Sequence, residues 1–166
     1  MIDTHCHLAD KRFDKDRDAV FARAFEPPFV LEGDRGERFS LAEQAGHKVL
    51  LVFYPGDNTP VCTKQLCDYR DGIEAFAGLG VEVVGISNDS AESHRRFREK
   101  YDLPFTLLTD PDLEVAALYD SKGVLGMKRS VFLVDERGVI RYLHIESLAL
   151  FRRKREELLE AIGTIS

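Results

Sequence analysis

The run VLLVFY at residues 49–54, stopped at once by Pro55 and Gly56, constrains this chain more than any other stretch. Six consecutive apolar residues are too few for a buried helix, and a strand that is apolar on both faces must be covered on both. It therefore belongs at the centre of a sheet. A second such run, VEVVGIS at 81–87, follows a segment in which Leu66, Tyr69, Ile73 and Phe76 recur at helical spacing and which Gly78 and Gly80 end. Strand, helix and strand in that order predict a parallel pair joined by a right-handed crossover.

The pattern continues downstream. Residues 90–101 (SAESHRRFREKY) read as a polar helix with Ser90 as its N-cap and Pro104 fixing its end. Asp89, Glu92, His94 and Glu99, on or beside that helix, could be imagined as an acid/base cluster, but a solvated face is the expectation. FTLL at 105–108 reads as a strand, Asp110 and Pro111 as a turn, and DLEVAALY at 112–119 as a short helix. SVFLVDERGVIRYLHI holds two alternating runs joined by DERG, the signal of an antiparallel hairpin. A last helix is expected at about 148–162, burying Leu148, Phe151, Leu158 and Ile162, with i to i+4 charge pairs on its exposed side. Upstream, FVLEGDRGERFSL predicts a short hairpin turning at 34–36 on a sheet edge. The whole is an α/β chain with a mixed central sheet flanked by helices, a thioredoxin-like arrangement.

Composition narrows the function. A length of 166 residues suits one compact domain, and the formal net charge of -6, with Lys and Arg scattered, argues against nucleic acid or an anionic membrane as partners. No apolar run approaches the roughly 18 residues that cross a bilayer, and the start lacks the pattern of a secretory signal, so a cytoplasmic location is expected. The three cysteines, Cys6, Cys62 and Cys67, are too few for a secreted disulfide framework, which makes a catalytic disulfide more plausible than a structural one.

The chemistry is expected in PGDNTPVCTKQLC, residues 55–67, between the first buried strand and the helix after it. Reactive groups in such sheets collect at the carboxyl ends of strands. Thr59 is a good N-cap residue and Pro60 suits the first helical position, which puts Cys62 in the first turn. There the orphan amides and the helix dipole favour a thiolate, the nucleophilic form. A small buried hydrophobe is the ordinary alternative for a lone cysteine.

Pro55, Thr59 and Cys62 match the Pro-x-x-x-Thr-x-x-Cys motif of peroxiredoxins, and FYPGDNTPVCTKQLCDYRD resembles the bacterioferritin-comigratory, or Q-type, subfamily. The resemblance covers about residues 25–163. It implies a peroxiredoxin fold and a thiol peroxidase that reduces hydrogen peroxide or alkyl hydroperoxides without metal or organic cofactor. It implies Cys62 as the peroxidatic cysteine, Thr59 and Arg129 as the groups that activate it and the peroxide, and Pro55 as a shield for the pocket. Thr59 would offer its hydroxyl to the peroxide, and Arg129 its guanidinium from just before the strand at 130–134. Val61 stands where a Gly is common, Gln65 where a Glu is common, and EPPF at 26–29 replaces Ala-Pro-Asp-Phe. Val61 would narrow the pocket.

Cys67 matches the resolving position of many members. On one regular helix a five-residue separation places the two Cα atoms about 8–9 Å apart, beyond the roughly 7 Å that a disulfide tolerates. The helix start would have to unwind for Cys67 to reach a sulfenic acid on Cys62, and a thioredoxin-type dithiol would then reduce the disulfide. A monomer or weak dimer is expected. A non-enzymatic redox sensor, or a partner-binding thioredoxin-like module, would use the same two cysteines without rapid recycling.

Residues 1–24 differ in composition from the rest of the chain. MIDTHCHLADKRFDKDRDAV resembles the first strand and loop of TatD-type metal-dependent deoxyribonucleases, a resemblance that implies metal ligation by His5 and His7 on a (β/α)8 barrel. Only the opening segment of such a barrel is here, and His47, His94 and His144 lie in unrelated contexts. The segment is therefore expected to be an appended leader rather than a complete domain, with residues 25–166 forming the thioredoxin-like domain. Adventitious metal binding at His5, Cys6 and His7 stays open.

Overall fold

The computed structural model describes residues 29–146 and 152–165. The elements run β1 (Val30–Gly33), β2 (Arg38–Ser40), a single 3-10 turn (Ala42–Gln44), β3 (Lys48–Phe53), α1 (Pro60–Asp71), α2 (Ile73–Gly78), β4 (Val81–Ser87), α3 (Ala91–Tyr101) and β5 (Thr106–Thr109). They continue with α4 (Glu114–Leu118), β6 (Lys122–Gly123), β7 (Gly126–Met127), β8 (Ser130–Val134), β9 (Ile140–Ile145) and α5 (Arg155–Ile165). Seven strands form one mixed sheet in the order β2-β1-β5-β4-β3-β8-β9, and β6 with β7 makes a separate small hairpin.

The apolar run of β3 takes the central place expected of it, parallel to β4 on one side and antiparallel to β8 on the other. Its side chains alternate between two cores. Val49, Leu51 and Phe53 join Val84, Ile86, Phe132 and Val134 on one face, whereas Leu50, Val52 and Tyr54 join Val83, Val131 and Leu133 on the other, under Leu66 and Tyr69 of α1. Each large side chain removed from water in this way contributes about 1.5–3 kcal/mol. Gly85 on β4 is required by packing: a Cβ there would stand 2.7 Å from Leu107 and 3.2 Å from the Tyr54 ring.

The β1–β2 and β8–β9 hairpins form as the turn signals predict, the first at the sheet edge. Ser90 caps α3 by accepting from the Ser93 amide. Other boundaries move. The expected helix through Phe76 is two helices, broken at Gly72, where a Cβ would meet Arg155 Cδ at 2.9 Å. α3 ends at Tyr101 as expected, but through a left-handed Asp102 (φ 50°), with the Leu103 amide donating to the Arg98 carbonyl at 3.0 Å, and not through Pro104. β5 lies one residue later than expected. α4 starts only at Glu114, because Leu113 is left-handed and the buried Asp110 carboxylate accepts from the Val115 and Ala116 amides. α5 begins at Arg155, not 148; Leu158 and Ile162 are buried as expected, while Leu148 and Phe151 lie outside the described residues. So do residues 1–24, with His5, Cys6 and His7.

Candidate active site

Two features of the sheet converge on one end of β3. The chain leaves Phe53 into the loop 54–59, and the antiparallel register Phe53↔Ser130 brings the residue before β8 to that same end. Arg129 is that residue, its carbonyl fixed by the Glu146 amide at 2.8 Å. Thr59 holds the N-cap position of α1 (φ -77°, ψ 149°) and Pro60 the first helical one, as expected. The Thr63 amide donates to the Thr59 carbonyl at 2.9 Å, so the Cys62 amide precedes the first helical bond. Cys62 thus sits in the first turn, fully buried, at the positive end of the dipole.

Arg129 is only 3% exposed and donates from Nη1 to Cys62 Sγ at 3.2 Å and to Gln65 Oε1 at 2.7 Å. Gln65 in turn donates from Nε2 to the Tyr69 hydroxyl at 3.1 Å, and that hydroxyl donates to the Arg153 carbonyl at 2.6 Å. Burial pushes the Tyr69 phenol well up, so it remains a donor. A relay of hydrogen bonds therefore runs from the Cys62 sulfur to the segment before α5. In the sequence Gln65 stands out only as a departure from the subfamily; its helical spacing from Tyr69 is the signal that could have found it.

The Thr59 hydroxyl does not cap α1. It donates to the Gly56 carbonyl at 3.0 Å, which leaves its oxygen lone pairs to accept rather than its proton to give. Pro55 and Val61 are half-buried beside the loop. Cys67 lies on the same helix as Cys62, also as a free thiol, and burial raises its pKa, with Arg70 partly offsetting the effect. The two cysteines are five residues apart on continuous helix, the arrangement in which they cannot bond without unwinding.

A profile of the AhpC/TSA family matches residues 23–143. The chain belongs to this family. It is 46% identical over 122 residues to a putative peroxiredoxin Bcp of Coxiella burnetii, covering 69% of this chain and 81% of the relative. It is 42% identical over 120 residues to peroxiredoxin Bcp of Bacillus subtilis, covering 68% and 76%. Among solved structures, peroxiredoxin Q of Xanthomonas campestris superimposes with a TM-score of 0.77 at 27% identity, covering 86% of this chain and 93% of that one. The chain is a peroxiredoxin of thioredoxin-like fold, a thiol-dependent peroxidase.

One expectation about this peroxiredoxin is overturned. Glu92 and Glu99 are exposed on α3 as predicted, but His94 is fully buried and Asp89 half-buried, so the four do not form a solvated face. His94 points inward with Phe97 because the helix packs that side on β5, and its polarity is met by hydrogen bonds instead of water. Among the described residues no helix is long and apolar enough to cross a membrane.

Proposed function

We propose that Cys62 is the peroxidatic thiol, that Arg129 and Thr59 hold the peroxide against it, that Pro55 shields it from water, and that Cys67 resolves the oxidised product. The observation that carries this is the 3.2 Å contact between Arg129 Nη1 and a Cys62 sulfur buried at a helix N-terminus. A guanidinium and first-turn amides together place positive potential at the sulfur and stabilise negative charge on the departing oxygen. The thiolate attacks one peroxide oxygen, the O–O bond breaks, and the other oxygen leaves as an alcohol or water after taking a proton. Cys62 is then a sulfenic acid, oxidised by two electrons. Thr59 accepts from the hydroperoxide O–H, since its own proton is given to the Gly56 carbonyl.

Cys67, as thiolate, attacks the sulfenic sulfur once α1 has opened; water leaves and a disulfide forms. A thioredoxin-type dithiol returns the two electrons by exchange. All groups in this cycle come from one chain, which favours a monomer or weak dimer, and the acidic net charge suits a cytoplasmic protein. Peroxide consumption with thioredoxin and thioredoxin reductase tests the scheme. Cys62→Ser should abolish turnover, and one equivalent of peroxide should give a Cys62–Cys67 link by mass spectrometry. A sulfenic acid that persists in the unmodified protein would remove Cys67 from the cycle, and turnover by Cys62→Ser would refute the scheme.

A further inference from the structure

Behind the loop 54–59 lies a buried polar cluster that the peroxide chemistry does not use. Asp57, at the middle of the loop, has a side chain 1% exposed, and that of His94 is 0% exposed. Asp57 accepts from the Tyr54 hydroxyl at 2.7 Å and from Ser93 Oγ at 2.8 Å, and its Oδ2 stands 2.8 Å from His94 Nδ1. His94 Nε2 lies 3.0 Å from the Leu108 carbonyl, which can only accept, so Nε2 carries a proton. The Asp57 amide donates to Asp89 Oδ2 at 2.8 Å, and Ser87 Oγ donates to the same oxygen at 2.7 Å.

One loop residue is thereby tied to the ends of β3 and β4, to the first turn of α3 and, through His94, to β5. Asp57, Asp89 and His94 place possible ligand atoms within 4.8 Å of one another. Both ring nitrogens of His94 already face protein oxygens, Asp57 Oδ2 at 2.8 Å and the Leu108 carbonyl at 3.0 Å, however. The cluster is better explained by what it holds. The residue before Asp57 supplies the carbonyl that orients the Thr59 hydroxyl, and the residue after it, Asn58, is held at φ 61°, in the left-handed region that Asn enters more readily than most side-chain residues. Burial and the neighbouring Asp57 push the Tyr54 phenol well up, so that hydroxyl stays a donor.

We infer that Asp57 and His94 are positioning residues that act as one unit. They pin the loop so that Pro55 and Thr59 form the peroxide pocket, and they are not needed for Cys62 to be a nucleophile. The inference rests on the assignment of Cys62 as the reacting thiol. Two rates on the reduced full chain test it: oxidation of Cys62 by one turnover of hydrogen peroxide, and alkylation of Cys62 by iodoacetamide, both quenched and read by mass spectrometry. Asp57→Asn and His94→Gln should slow the peroxide reaction by about 10- to 100-fold, the scale of an ångström-sized misplacement, while alkylation stays within about 2-fold. The double variant should be no slower than the slower single one, as expected of two residues acting together.

Ser93→Ala and Tyr54→Phe each remove one donor from Asp57 and should show a smaller loss with the same selectivity; they carry the test if a thermal melt shows Asp57→Asn unfolded. Parallel loss of both rates, or an unchanged peroxide rate in every folded variant, overturns the inference. Peroxide consumption that survives Cys62→Ser would instead sink the assignment on which it rests.

Discussion

A sulfur reacts quickly only as thiolate, and at Cys62 two sources of positive potential meet: the orphan amides of the first turn of α1 and the guanidinium of Arg129. Arg129 Nη1 serves the sulfur and Gln65 Oε1 together, a geometry that suits a rigid planar fork better than an ammonium on a flexible stem. Arg129→Gln should lower the single-turnover peroxide rate by about 100- to 1,000-fold, and Arg129→Lys should recover only part of it. Cys67 yields a second prediction with a definite sign. Burial, the larger cause, raises its pKa on the intact helix, so the folded helix holds the proton more tightly than the unwound one. That contribution to helix stability is fully present below the ordinary cysteine value of about 8.5 and is lost as pH rises toward the raised value. Disulfide formation after one peroxide equivalent should therefore accelerate above about pH 8.5, as read by acid quench and mass spectrometry; a rate that falls there would contradict it. The motif resemblance pointed to Pro55, Thr59 and Cys62, and its place before a strand pointed to Arg129, whose guanidinium the fold brings to the Cys62 sulfur. His94 was not legible, since a histidine among Arg and Glu reads as solvated until the packing of α3 on the sheet is known.

At the scale of elements, α1 has to be firm enough to present Cys62 and weak enough to open toward Cys67. Its start is held by the Gln65 bond to Arg129, and its second half by the entry to α5, where Arg152 Nη1 and the amide of Arg155, the first helical residue, donate to Asp68 Oδ2 at 3.1 and 2.9 Å. Unwinding residues 62–67 breaks the first hold directly and loads the second. Asp68→Ala should speed the disulfide-forming step several-fold while leaving the peroxide step unchanged, because Asp68 touches neither the sulfur nor Arg129. Quenched time courses that resolve sulfenic acid from disulfide would show this, and an unchanged disulfide rate would mean that the helix opens without releasing its C-terminal contacts. The helix boundaries were only partly legible. Apolar spacing through Leu66, Tyr69, Ile73 and Phe76 fits one helix, whereas the backbone leaves helical geometry at Gly72 (φ -103°, ψ 10°), which that spacing does not mark. The strands were clearer, since β3, β4 and the β8–β9 pair announce themselves by apolar runs and turns that need no distant partner.

Across the whole molecule, the edge hairpin is fastened to the rest by a charge. Asp34, in the β1–β2 turn, has a fully buried side chain and pairs with Arg98 Nε of α3, while its amide donates to the Leu107 carbonyl at 3.0 Å and its carbonyl accepts from Arg95 at 3.3 Å. The turn was legible as a turn, but its Asp was not legible as a buried anion, because the cation that matches it lies on another element. Removing Arg98 would leave that carboxylate without its counter-charge in a site closed to water. Loss of one partner from a buried pair typically costs about 3–5 kcal/mol, and in a domain of this size each kcal/mol shifts the melting temperature by about 2–4 °C. The Arg98 side chain is itself 19% exposed, so the low end applies: Arg98→Met should lower the melting temperature by about 6–12 °C. The peroxide rate of the folded fraction should not change, because the pair joins β1–β2 to α3 and makes no contact with Cys62, Thr59 or Arg129. Replacing both partners, as Asp34→Asn with Arg98→Met, should recover part of the loss, since the double change removes the stranded charge. If the single variant melts like the parent, water reaches Asp34 and the edge hairpin is held by its strand pairing with β5 alone; if the double variant is worse than the single, the hydrogen bonds of Asp34 matter more than its charge.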